Sequence, residues 1–177
     1  MLTVHRLLLE TVTCIKVRDN NKECVSAGVD GSCIIWDLTR AVRNQVLFAP
    51  TFFKAVSYFP EESQLLTAGT DRKVSYWEAY DGSLIREIEA SQSDAINGLD
   101  ITQDGKYFVI GGSDKLVKVY RYEEGDLSYV GVGHSTDINK IKISPDQKHI
   151  VSVSSEGAIF VWTFPESVGA RLFPPRV

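Results

Sequence analysis

No apolar run in the 177-residue chain approaches the roughly 18 residues that a membrane helix requires, and none is expected to cross a bilayer. Leu7-Leu8-Leu9 is too short for the apolar core of a secretion signal. There is no basic excess. Lys and Arg number 19 against 23 Asp and Glu, and the net charge is −4. Residues 1–90 hold 10 basic and 12 acidic residues, so neither half forms a basic stripe. A nucleic-acid partner is not expected, because phosphate backbones are bound by such stripes. The three cysteines, Cys14, Cys24 and Cys33, include no Cys-x-x-Cys pair, and no His or carboxylate stands near them at ligand spacing. They read as free thiols acting as small core residues, with no metal and no cofactor, in a reducing cytoplasm. No Asn-x-Ser/Thr acceptor is present. A sustained helical period is missing throughout, so the chain is expected to be nearly all-β.

What is present is a repeat. Asp30-Gly-Ser-Cys-Ile-Ile-Trp36, Asp71-Arg-Lys-Val-Ser-Tyr-Trp77, Asp114-Lys-Leu-Val-Lys-Val-Tyr120 and Glu156-Gly-Ala-Ile-Phe-Val-Trp162 share one form. Each sets an acidic residue six positions before an aromatic that closes a short apolar strand. The aromatics fall 41, 43 and 42 residues apart. This spacing, with Trp36-Asp37, resembles the blade repeat of WD40 β-propellers.

Each repeat divides into strands a, b, c and d. Strand a is expected at Val12–Val17, Phe53–Phe59, Ile96–Ile101 and Ile138–Ile143. Strand b is expected at Cys24–Ala27, Leu65–Ala68, Tyr107–Ile110 and Ile150–Val153. Turn residues separate them: Asp19–Lys22, Pro60–Ser63, Gln103–Lys106 and Pro145–Lys148. An outer strand d is expected at Asn44–Phe48, Leu84–Ile88 and Leu127–Val130. None follows Trp162, where Pro165 opens a Pro-rich tail that reads as coil. Leu2–Leu8 is a candidate outer strand. The repeats are thus placed at 11–48, 49–90, 91–132 and 133–164, flanked by 1–10 and 165–177. Four blades fit an open arc, or the closing part of a larger seven-bladed ring, better than a small closed ring or a two-chain ring of eight. Exposed blade edges would favour self-association.

In many WD40 blades a His, a Ser or Thr, an Asp and the Trp indole form one buried network. Here the fourth repeat supplies His134, Ser152, Glu156 and Trp162. The first supplies Ser26, Asp30 and Trp36, and the second Thr67, Asp71 and Trp77. The third has Asp114 and Tyr120, with Ile110 where a hydroxyl is expected. Glu156 is one methylene longer than the usual Asp. His134, Ser152 and Glu156 also mimic a hydrolase triad, but Ser152 sits mid-strand rather than on an exposed nucleophile turn. No catalytic residue is assigned. Gly111-Gly112 and Gly131-Val-Gly133 read as turn glycines rather than a phosphate loop, since no helix follows them.

Longer stretches narrow the resemblance. Val17–Ser26 with Asp30–Leu38, Thr70–Glu78 with Asp81–Glu87, Ile96–Thr102 and Val130–Ser135 together resemble the C-terminal part of a cilia- and flagella-associated family of WD-repeat proteins. The resemblance spans residues 11–164. It implies tandem propellers of about seven blades in the family, and a place inside the doublet microtubules of motile cilia, with tubulin and neighbouring axonemal proteins as partners. An adaptor in another multiprotein complex is the alternative. Propellers bind through turns at their faces, so Arg72, Arg43, Asp94, Lys115 and Asp137 are the candidate protein-binding residues.

Overall fold

A computed structural model describes residues 10–61 and 63–164. It contains fifteen strands and, among the described residues, no helix. The first sheet is β1 (Val12–Val17), β2 (Glu23–Gly28), β3 (Ser32–Asp37) and β4 (Val42–Phe48). The second is β5 (Phe53–Tyr58), β6 (Gln64–Gly69), β7 (Lys73–Glu78) and β8 (Leu84–Glu89). The third is β9 (Ile96–Ile101), β10 (Tyr107–Gly112), β11 (Leu116–Arg121) and β12 (Leu127–Val132). The fourth holds β13 (Ile138–Ile143), β14 (His149–Ser154) and β15 (Ile159–Thr163). Each sheet is an antiparallel meander. The four sheets are arranged as a four-bladed β-propeller, in line with the all-β reading of the sequence. The expectations for residues 1–9 and 165–177, including the strand at Leu2–Leu8, lie outside the described residues.

The core lies between blades, and strand alternation produces it. Consecutive residues of a central strand point to opposite faces and enter different cores. Leu65 packs with Val25, Cys33 and Ile35 of the first blade, while Leu66 packs with Phe108 and Tyr120 of the third. Likewise Phe108 faces the second blade, and Val109 faces Ile138 and Ile150 of the fourth. Each such fully buried side chain contributes about 1.5–3 kcal/mol of transfer free energy. The outward faces of the terminal blades differ. Val12, Ile15 and Val17 of β1 and Ile159 and Val161 of β15 are exposed.

The inner strands carry one irregularity four times. A β-bulge falls between Val12 and Cys14, Phe53 and Ala55, Ile96 and Gly98, and Ile138 and Lys140. A bulge leaves one residue unpaired and re-aims its side chain. Those residues are Thr13, Lys54, Asn97 and Asn139, and all four line the same axial mouth. Thr13 Oγ1 donates to Phe53 O at 2.6 Å, and Asn97 Nδ2 donates to Ile138 O at 3.0 Å. Each of these bonds ties a blade to its successor.

Gly111 and Gly112 lie in strand β10 and Gly131 in β12, not in turns. Their role is close approach. A Cβ at Gly112 would stand 2.1 Å from Ala95 O, and one at Gly131 would stand 3.0 Å from the Trp162 ring. At Gly98 the obstruction would be the neighbouring blade itself, with Ile141 N at 2.8 Å. Gly98→Ala is therefore expected to push β9 away from β13 and lower stability by about 1–3 kcal/mol, measured by urea unfolding. An unchanged midpoint would show that the inner strands are not packed this closely.

Candidate interaction faces and the networks that hold them

Three blades share one hydrogen bond. The indole Nε1 of Trp36 donates to Ser26 Oγ, that of Trp77 to Thr67 Oγ1, and that of Trp162 to Ser152 Oγ, each at 2.8 Å. The hydroxyl sits on the second strand and the aromatic on the third, ten residues apart. In the fourth blade His134 Nε2 also meets Ser152 Oγ, at 2.6 Å, and the imidazole stacks on Phe160 at 4.4 Å between ring centroids.

The acidic residues do not join these pairs. Asp30 accepts from the Ser32 amide and hydroxyl, and Asp71 accepts from the Lys73 amide at 3.4 Å. Both shape the turn before the third strand. Glu156 is drawn outward to Ser135, whose hydroxyl and amide donate to it, and it also accepts from Ser154 Oγ at 3.3 Å. His134 Nδ1 is left buried without a partner among the described residues. The extra methylene of Glu156 carries its carboxylate to the loop rather than to the ring. Ser152 is fully buried, its hydroxyl held between the Trp162 indole and the His134 ring.

The third blade solves the problem differently. Lys118 stands cross-strand from Ile110, the position that holds a hydroxyl elsewhere. Its ammonium pairs with Asp114 at 2.6 Å and donates to Ala90 O at 3.0 Å, and Tyr120 OH donates to the same carbonyl at 3.0 Å. Burial pushes the Tyr120 hydroxyl up to about 12. Lys118 was not singled out in the sequence. The available signal was a lysine at an inward position of an otherwise apolar strand, four residues after an Asp.

The predicted binding residues fall on two faces. Arg72 and Lys115 are exposed at the tips of the turns before β7 and β11. Both hold left-handed backbone, with φ 69° and 66°. The matching positions of the other two blades are Gly31 and Gly157, with φ 78° and 83°. Arg72 Nη1 donates to Gln92 O at 3.0 Å, and its own carbonyl accepts from the Ala90 and Ser91 amides. Asp94 and Asp137, in the loops entering β9 and β13, share this face and are half-buried. Asp94 accepts from Ser93 Oγ at 2.5 Å, and Asp137 O accepts from the Ser155 amide. Arg43 is exposed on β4 near the opposite face, beside Trp36 in the register, so it does not join the others.

At the axis three charged inner-strand residues meet, none of them foreseen. Asp100 of β9 is buried. Its Oδ1 receives Lys142 Nζ at 2.8 Å and lies 3.8 Å from Lys16 Nζ of the first blade, and its Oδ2 accepts the Ile143 amide at 3.0 Å.

A profile of the WD domain, G-beta repeat, matches residues 2–37, 82–121 and 125–163, more than half of the chain. The chain belongs to the WD40 repeat family. Within WD40 proteins, several relatives of this chain share a description. Cilia- and flagella-associated protein 52 of Homo sapiens is 57% identical over 155 residues, covering 88% of this chain and 25% of that protein. The Mus musculus protein gives the same figures. That of Chlamydomonas reinhardtii is 54% identical over 153 residues, 86% of this chain and 25% of the relative. The chain thus spans about a quarter of the length of these WD40 relatives.

Two outcomes follow from the networks. Lys118→Met or Asp114→Ala alone removes one side of a buried ion pair and should cost about 3–5 kcal/mol, while the double variant should cost less than the sum. A double-mutant cycle in urea tests this, and strict additivity would refute the coupling. In the fourth blade the Ser135 hydroxyl holds the Glu156 carboxyl below the usual glutamate range, favouring the ionised form when folded. That contribution is complete above the ordinary glutamate pKa and is lost as pH falls through the lowered one. The Tm gap between the parent and Glu156→Ala should therefore close between about pH 7 and about pH 3.

Proposed function

We propose that this chain is a non-catalytic WD40 scaffold of the ciliary or flagellar axoneme, built to hold proteins against its faces. The observation that carries the reading is the identity of 54–57% to cilia- and flagella-associated proteins, shared between mammals and a green alga over 86–88% of the chain. The finer part of the proposal is the partner: tubulin and neighbouring proteins inside doublet microtubules.

The physical support for a binding face is local. A non-glycine residue in left-handed backbone costs about 1–2 kcal/mol. Two blades avoid that cost with Gly31 and Gly157, while the other two place Arg72 and Lys115 there with their side chains exposed. A long cation at a strained turn tip, where glycine is the relaxed choice, fits a role in contact rather than in folding. Arg forms bidentate bonds with carboxylates, and Lys offers a point charge, so the face suits an acidic protein surface.

The test separates the two roles. Arg72→Gly with Lys115→Gly should raise stability by about 1 kcal/mol per site and at the same time weaken co-sedimentation with microtubules. Stabilised variants that sediment as well as the parent would remove these residues from the interface. Imaging of a tagged chain tests the location. Axonemal retention after detergent extraction is expected, and complete extraction would count against the scaffold reading.

A further inference from the structure

The three junctions between blades are built from the same positions. The receiving blade gives two inner-strand residues three apart: Phe53 and Val56, Ile96 and Leu99, or Ile138 and Ile141, none more than 3% exposed. The presenting blade gives alternate residues of its third strand: Cys33 and Ile35, Val74 and Tyr76, or Val117 and Val119, none more than 2% exposed. One pair of each kind meets in each of the three cores. The terminal blades carry the same positions uncovered. On the first blade the receiving pair is Val12 and Ile15, 45% and 63% exposed. On the fourth the presenting pair is Ile159 and Val161, 67% and 65% exposed. Register identifies them. Val12 opens the bulge of β1 as Ile138 opens that of β13, and Ile159 pairs with Val153 as Cys33 pairs with Ala27.

A polar contact repeats with them. Asn97 Nδ2 lies 3.4 Å from Ser113 Oγ and donates across the junction to Ile138 O at 3.0 Å. Asn139 and Ser155 stand in the same relation on the fourth blade, where Ser155 Oγ donates to Asn139 Oδ1 at 3.0 Å. Asn139 is exposed, and its Nδ2 has no partner among the described residues. The matching acceptor on a first blade is Val12 O, at the position of Ile138 O. The uncovered aliphatic face and this donor together have the form of a half-built blade junction, and exposed apolar faces mark contact surfaces.

We propose that the outward face of the fourth blade binds the outward face of the first blade in a second copy of this chain. Val12 and Ile15 of one copy pack on Ile159 and Val161 of the other, as Ile138 and Ile141 pack on Val117 and Val119 within the chain. The two faces are unlike, so the contact runs head to tail. Two copies cover both faces of each and close a ring of eight blades, the upper end of the usual propeller range. The repeat count alone favours an open arc, whereas the matching of the two faces favours the pair. The pairing does not depend on the axonemal reading.

The test is the mass of the whole chain in solution, by light scattering and sedimentation over a dilution series. A plateau at twice the chain's mass is expected. Ile15→Glu and Ile159→Glu should each weaken pairing at least about tenfold. Mixing those two variants should restore a two-chain species, because one keeps its fourth-blade face and the other its first. Asn139→Ala, exposed and outside every core, reads the same junction without adding a charge, and should weaken pairing about fivefold. Tyr80→Glu, at an exposed turn of the second blade, should leave the pair intact. The proposal fails if the parent stays a single chain at every concentration, or grows into polymers with no two-chain plateau. It fails equally if Ile15→Glu or Ile159→Glu pairs as well as the parent, if their mixture stays single, if Asn139→Ala pairs unchanged, or if Tyr80→Glu loses as much.

Discussion

Asp100 is a carboxylate taken out of water at the point where the inner strands converge, and the architecture turns on how it is satisfied. An unpaired buried carboxylate would cost several kcal/mol. Here one oxygen accepts the Ile143 amide of the next blade, and the other holds Lys142 and draws Lys16 across the axis. Three blades are thereby referenced to a single side chain. The hydrophobic cores between blades supply most of the stabilisation, but they are non-directional and tolerate sliding. The Asp100 bonds, together with those from Thr13 and Asn97 at the bulges, fix the register of one inner strand against another. Gly98 lets β9 come near enough for these bonds to form.

Away from the axis each blade must also satisfy polar groups in its own interior. Three use an indole N–H on a hydroxyl, a neutral bond whose net contribution is about 0.5–1.5 kcal/mol. The third blade has no hydroxyl, because Ile110 occupies the place. It uses a buried ion pair and a tyrosine hydroxyl that meet at Ala90 O. An ion pair of this kind is a poor source of net stability but a severe penalty when half removed. The third blade is thus the most demanding of geometry, and the fourth, with His134 Nδ1 unpartnered, the least complete.

The blades were legible in the sequence because their signals are local. Alternation over six residues, turn residues at fixed offsets and a recurring aromatic each lie within one strand or one loop. The hydroxyl–indole pairs were legible for the same reason, being ten residues apart across one hairpin. The acidic turn residues were not placed correctly by pattern alone. Asp30 and Asp71 satisfy neighbouring amides, and the longer Glu156 reaches Ser135 instead of His134. What escaped altogether was charge on alternating strands. Lys16, Asp100 and Lys142 each occupy a position that, on a half-buried strand, reads as solvent-facing. Lys16 and Asp100 are brought together only by the closure of blades 84 residues apart. The recurring bulge was likewise invisible, because a bulge changes pairing and not composition.

These positions also decide where the molecule can meet a partner. The chain carries a net charge of −4, so an acidic surface is repelled by it at long range. Attraction has to come from places where cations are concentrated or left unneutralised. The structure provides one at the exposed turn tips of Arg72 and Lys115. The turn after β11, on the face opposite those tips, carries the acidic residues Glu123 and Glu124. Attraction of an acidic surface to those tips acts only within about a Debye length of ~8 Å at physiological salt.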